Sequence, residues 1–166
     1  MKIVAIVQAR MGSTRLPNKV MMKINGVPMI ELLFNRLSKS ININQVVLAT
    51  SNNENNLPLV EHIKSLGHEV FSGDENNVLD RYFHAAKLFE ADAIVRITGD
   101  CPLVDSLLVD ELINGFIDTN SDYASNREPP TYPDGLDVEV ISIEALEEAH
   151  KKAKGDFQRE HVTPYI

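Results

Sequence analysis

Apolar residues recur along this chain in two rhythms that alternate. Strand-length runs dominated by apolar side chains fall at 3–7, 45–50, 68–71 and 93–98, and short continuous runs of this kind fit buried strands. Between them the spacing changes to that of a helix face. Met29, Ile30, Leu33, Phe34 and Leu37 form one such face, and Leu59, Val60, Ile63 and Leu66 a second. Val78, Leu79, Tyr82, Phe83, Ala86 and Phe89 form a third, and Leu108, Val109, Leu112, Ile113 and Phe116 a fourth.

Turn residues punctuate the same pattern. Asn25-Gly26 reads as a turn after a short extended piece at 20–24, and Pro28 suits the first turn of a helix,. Pro58 opens the second helix, and Gly67 stops it,. The stretch 99–102 breaks the chain sharply, and Asp105 or Ser106 can cap the fourth helix,. Further on, 122–125 and 138–141 read as strands around a loop at 126–135 that holds three prolines and one glycine. Ser142 can cap a fifth helix running to about Lys154, and a last helical piece follows Gly155 and ends at Pro164.

Strands alternating with amphipathic helices imply one α/β domain, with a mostly parallel sheet covered on both faces. Ligands of such sheets sit outside the carboxyl ends of the strands. Three loops follow strands at that edge: QARMGSTRLPNK after the first, SGDENN after the third and TGDCPL after the fourth.

Composition narrows the partners. The chain has 166 residues and a formal net charge of −8, so it lacks the broad basic face that nucleic acid requires. No apolar run approaches the ~20 residues of a membrane span, and the first run is followed at once by polar residues, unlike a secretory leader. A single cysteine, Cys101, leaves no internal disulfide framework and fits a reducing cytoplasm. The expectation is therefore a cytoplasmic protein that engages neither membrane nor nucleic acid.

Charge is distributed unevenly. The first thirty residues carry Lys2, Arg10, Arg15, Lys19 and Lys23 and no acid, which predicts a local anion site in an acidic protein. Arginine and lysine suit phosphate oxygens, Gly12 lets backbone N–H groups approach closely, and Ser13 and Thr14 add hydroxyl donors. The ligand predicted for this loop is a nucleoside triphosphate. GxxxxGK[ST] and GxGxxG are both absent from the sequence, which excludes the two commonest phosphate loops.

Asp100, after the strand at 93–98, faces the same edge and can ligate Mg²⁺ together with substrate phosphates. A plain turn aspartate is the competing reading, and the shared edge with the basic loop favours the metal. Asp137 and Glu139 alternate along the strand predicted there, so they share one face. They either line a pocket, on sugar or metal, or sit on an exposed edge. The five histidines show no metal spacing: His62 and His84 read as surface or packing residues, and His161 could reach a substrate but reads rather as structural. Cys101 reads as a small buried residue rather than a nucleophile.

QARMGSTRLPNKVMMKINGVPMI resembles the opening signature of the sugar-acid cytidylyltransferases, the family of CMP-Kdo synthetases and acylneuraminate cytidylyltransferases. The branch named for spore coat polysaccharide biosynthesis protein F is the nearest in pattern. SGDENNVLDRYFHAA, RITGDCPLVD, YPDGLDVEVIS and REHVTPYI extend the resemblance over essentially the whole chain. It implies a Rossmann-like three-layer α/β/α sandwich of the nucleotide-diphospho-sugar transferase type. The implied reaction is CMP transfer from CTP to a sugar acid, with magnesium and release of pyrophosphate.

On this resemblance Gln8, Ala9, Arg10, Gly12, Ser13, Arg15, Lys19, Ser72 and Thr98 would contact the nucleotide. Arg10, Lys19 and Asp100 would be catalytic, with Asp100 on the metal, while Arg81, Asp137 and Glu139 would meet the acceptor. CTP and a sugar acid are the implied partners, and a homodimer the candidate assembly. One departure stands out. The family pattern runs on to a segment carrying another metal-site carboxylate, and no D-T-x-x-D-L ending occurs here. The expectation is a single nucleotidyltransferase domain that lacks that segment. Competing readings are a nucleotidyltransferase for another sugar or a polyol phosphate, and a non-catalytic nucleotide-binding domain.

Overall fold

The computed structural model describes residues 1–13, 16–127 and 129–166. Six strands form one sheet in the order β5-β4-β1-β6-β8-β7. They are β1 (Ile3–Gln8), β4 (Gln45–Ser51), β5 (Glu69–Gly73), β6 (Ala93–Thr98), β7 (Tyr123–Ser125) and β8 (Glu139–Ser142). β1 pairs in parallel with β4 and β6, and β4 with β5. β8 runs antiparallel to β6, and β7 antiparallel to β8. The chain therefore reverses direction on one flank of the sheet, and the loop between β7 and β8 opens at the same edge as the carboxyl end of β6.

Both faces of the sheet are buried because neighbouring residues of a strand point to opposite sides. On β1, Ile3, Ala5 and Val7 enter the core beneath α1 (Met29–Leu37), α2 (Leu57–Ser65) and α4 (Ser106–Asp118). Val4 and Ile6 enter the other core, beneath α3 (Val78–Leu88) and α5 (Ile143–Lys152). The result is the three-layer α/β/α sandwich implied by the sequence. Phe34, Leu33 and Leu37 of α1 are wholly buried, and truncating one such side chain to Ala would cost about 2–5 kcal/mol.

Caps set the helix starts. The Asp105 side chain accepts from the Leu107 N–H at 2.8 Å, and Ser142 Oγ from the Ala145 N–H at 3.1 Å. Asn77 accepts from the Asp80 N–H at 3.2 Å and caps α3. Far along the chain, Asp110 of α4 accepts from the backbone N–H groups of Ile41 and Asn42, both at 3.1 Å. It thereby ties the turn after α1 to the other end of the same core.

Some boundaries differ from the sequence expectation. Residues 20–24 do not form one extended piece. Lys19–Met21 is a 3-10 turn, and a two-residue hairpin follows, β2 (Lys23–Ile24) with β3 (Val27–Pro28), closed by Asn25 and Gly26 at φ 51° and 87°. The positive φ at both turn residues is what the tight hairpin demands. Pro28 precedes α1 rather than entering it. The last helix, α6 (Asp156–His161), ends before Pro164 because Val162 turns to φ 71° with its side chain fully buried. No described helix is long and apolar enough to cross a membrane.

Candidate active site

A cleft of about 850 Å³ opens at the carboxyl ends of β1 and β6. Its floor depends on one glycine. The Gly99 N–H donates to the Gln8 carbonyl at 2.7 Å, and a Cβ on Gly99 would lie 2.6 Å from the Ala9 Cβ and 2.9 Å from the Gln8 oxygen. Only glycine lets the two strand ends close to this distance. Gln8, Ala9, Arg10 and Ser13 line one wall as a result, and Thr98, Gly99 and Asp100 line the adjacent one.

Lys19 bridges the two walls. Its Nζ donates to Asp100 Oδ2 at 2.8 Å. Partial burial opposes ionisation of Asp100, but hydrogen bonds from Lys19 and Thr98 and the charge of Lys19 outweigh it. The carboxyl is held below the usual range and is ionised at neutral pH,. The start of the cationic loop is fixed independently, because the Met11 N–H donates at 2.8 Å to Asn56, a side chain only 3% exposed. Arg15 lies outside the described residues.

The opposite wall is the loop after β5. Asp74 accepts from the backbone N–H groups of Asn76 and Asn77 at 2.7 and 2.9 Å, and these two bonds pull its carboxyl down. Arg81 is 2% exposed, and its Nη1 donates to the carbonyls of Asp74 and Glu75 at 2.5 and 2.8 Å. It thus both holds this loop and reaches the cleft. Glu75 spans the opening and accepts from Arg10 Nη1 at 2.9 Å.

Residues that the sequence reading did not select complete the cleft. Arg96 reaches it from the middle of β6, with its guanidinium carbon 5.8 Å from the centre of the Tyr82 ring. A charged residue inside the buried run AIVRIT was the available signal. Burial opposes the charge of Arg96, but Tyr82 and Glu139 outweigh it and raise its pKa. α6 contributes Asp156, Arg159, Glu160 and His161; REHVTPYI was the available signal, but His161 was read as structural. Among the described residues, lysine and arginine outnumber acids five to four along the lining, although the chain as a whole is acidic.

Four of the expected residues lie off the lining. Ser72 is exposed on β5, and among the described residues Gly12 has nothing within 4 Å of where a Cβ would sit. Asp137 precedes β8, which begins at Glu139, so the two do not alternate along one strand. Glu139 is 3% exposed. Its oxygens accept from Tyr123 Oη at 2.8 Å, from Thr163 Oγ1 at 3.0 Å and from Arg96. Its connection to the cleft runs through Arg96. Cys101 is buried 3.1 Å from Thr98 Oγ1, and burial pushes its thiol up, which leaves little thiolate for attack.

A cleft at the carboxyl edge of a mostly parallel sheet, with basic side chains beside an ionised aspartate on one wall, fits an α/β nucleotidyltransferase. The chain belongs to the cytidylyltransferase family, whose model matches residues 4–166, and is a CTP-dependent nucleotidyltransferase. It is 36% identical over 169 residues to the spore coat polysaccharide biosynthesis protein SpsF of Bacillus subtilis (strain 168), covering 99% of this chain and 69% of that protein. A cytidylyltransferase from Leptospira borgpetersenii serovar Hardjo-bovis superposes with a TM-score of 0.96 at 34% identity, over 100% of this chain and 71% of the other. The fold is shared more distantly with CMP:2-keto-3-deoxy-manno-octonic acid synthetase complexed with CTP. There the TM-score is 0.75 at 18% identity, over 99% of this chain and 84% of the other.

Proposed function

We propose that this protein transfers CMP from CTP to a hydroxyl of a sugar acid, of the nonulosonic or Kdo type, in the synthesis of a surface polysaccharide. The observation that carries the reading is the meeting of Arg10, Lys19 and Asp100 in one cleft at the carboxyl edge of the sheet. The family supports the cytidylyl group. The name of the Bacillus relative supports the polysaccharide, and that of the CTP-bound synthetase supports the sugar acid.

In this reading the loop from Gln8 to Lys19, including Gly12, Ser13 and Arg15, holds the triphosphate, with Thr98 at its flank; Ser72, off the lining, takes no part. Arg81, Asp137 and Glu139 serve the acceptor side, Glu139 by fixing Arg96. The sugar hydroxyl oxygen bonds to the α-phosphorus, the bond from that phosphorus to the bridging oxygen breaks, and pyrophosphate leaves. The hydroxyl proton passes to solvent. Arg10 and Lys19 align the phosphates and neutralise the charge that develops on them. Asp100, an ionised oxygen donor beside the phosphate loop, fits Mg²⁺, which takes one or two carboxylates plus substrate phosphates. When bound there, the ion would withdraw charge from the phosphate oxygens.

Pyrophosphate release, measured with CTP, UTP, ATP and GTP against Kdo and N-acetylneuraminate, tests the reading. Release with CTP and one of the sugar acids is expected. Release with UTP alone would sink the cytidylyl assignment, and CTP binding without turnover on any sugar acid would leave only a nucleotide-binding domain.

A further inference from the structure

A cluster of metal-ligating side chains lies outside the cleft, on the outer surface of α3 and α5. Asp80 and His84 are one helical turn apart on α3, a spacing that puts both on one face. His150 reaches them from α5. The two helices cover the same sheet face and share one core, in which Tyr82, Ala85 and Ala86 meet Leu146 and Ala149.

The three donor atoms converge on one point. His150 Nε2 lies 2.9 Å from Asp80 Oδ1, and His84 Nε2 lies 3.3 Å from the same oxygen. All three atoms fall within 4.8 Å of one another. A tetrahedral ion with bonds of about 2.0–2.1 Å to nitrogen and oxygen holds its ligands about 3.3 Å apart. The two separations to Asp80 are already close to that value, and the third, within 4.8 Å, has to close by at most about 1.5 Å,.

The surroundings hold the rings in that arrangement. Phe83 stacks on His150 at 4.2 Å and 14°, and meets the His84 ring edge-on at 5.2 Å. Asp80 sits in the first turn of α3, fixed by the Asn77 cap on its N–H. Sites carried on packed helices are more precise than sites on loops. The side chains of Asp80, His84 and His150 are 30%, 50% and 23% exposed, so an ion can enter from solvent and keep water in its remaining positions.

We propose that Asp80, His84 and His150 bind a divalent transition-metal ion of the Zn²⁺ class and clip α3 to α5. Two imidazoles and one carboxylate suit Zn²⁺, Co²⁺ or Ni²⁺, whereas Mg²⁺ favours an all-oxygen shell. This site is therefore chemically distinct from the one at Asp100.

Metal-stripped protein, dialysed against Zn²⁺ in slightly alkaline buffer because protons compete with the metal for its ligands, tests the assignment. One Zn²⁺ per chain is expected, with a higher thermal midpoint because the ion binds only the folded chain. His84→Ala or His150→Ala should each weaken binding by about tenfold or more, and the pair by about a hundredfold or more. The Asp100→Asn variant should bind as the parent does, and millimolar Mg²⁺ should not displace the ion. Nitrogen NMR of the parent protein provides a reading that needs no variant: Zn²⁺ should shift the His84 and His150 Nε2 signals, and not those of His62 or His68. Zinc bound as tightly by the double variant, or lost in Asp100→Asn, would overturn the site, as would unmoved His84 and His150 signals at saturating Zn²⁺.

Discussion

Arg96 and Glu139 face each other across the antiparallel pair β6 and β8 and form a buried ion pair, with side chains 10% and 4% exposed. Neither charge is tolerable alone at that depth. Glu139→Ala would leave the guanidinium uncompensated and strip an acceptor from Tyr123 and Thr163, and breaking such a pair costs about 3–5 kcal/mol. Chemical denaturation should show that loss. A variant as stable as the parent would mean that the pair is not a structural support.

Lys19 and Asp100 also touch, but their side chains are 27% and 46% exposed. A pair this open contributes about 0–1 kcal/mol to stability. Lys19→Ala should therefore leave the thermal midpoint nearly unchanged while turnover in the pyrophosphate assay falls by about 10²-fold or more. An unchanged rate would return the loop to an ordinary charged surface.

Gly99→Ala should be more disruptive than its size suggests. The added methyl meets a backbone oxygen at 2.9 Å and the Ala9 Cβ at 2.6 Å, and neither can rotate away. The ends of β1 and β6 must separate, with a cost of about 1–3 kcal/mol for overpacking. CTP affinity should fall together with stability. Gly12→Ala, where nothing lies within 4 Å, is the control and should change stability little.

Two tyrosines predict an alkaline signature. Burial, aided by the negative charge of Glu139, raises the pKa of Tyr82 and of Tyr123 to about 12 each, against about 10 in an unfolded chain. The folded protein keeps these protons where the unfolded chain releases them. Their contribution to stability is thus complete below pH about 10 and is lost as pH rises toward about 12. Phenolate absorbance of the folded protein should lack the contribution of both residues at pH about 11. The full change of the four tyrosines by that pH would contradict this.

The sequence was legible where a segment decides its own structure. β6 occupies 93–98 as read, and β1 extends the expected run by one residue to Gln8, because strand-length runs dominated by apolar side chains have few alternatives. Strand direction was not legible, since the run that became β8 reads the same in either sense and only pairing with β6 reverses it. Lys19–Met21 was misread because an isolated short turn has no periodicity of its own. Arg10, Lys19 and Asp100 were picked out from charge and edge position, and the fold brings them to one cleft. Arg96 needed its partner 43 residues away, and the approach of His84 to His150 depends on how two helices pack.

The loop between β7 and β8 is fastened at its base by one side chain. Asn126, 7% exposed, donates to the Leu136 carbonyl at 2.8 Å and accepts from the Val138 N–H at 2.9 Å. These two bonds close the base of the segment independently of what its far end contains. A graft of different length or chemistry inserted beyond this clasp would reshape the ground beside the cleft without disturbing the parallel strands that carry the cationic loop. The fold is in this sense a fixed handle with an exchangeable bit.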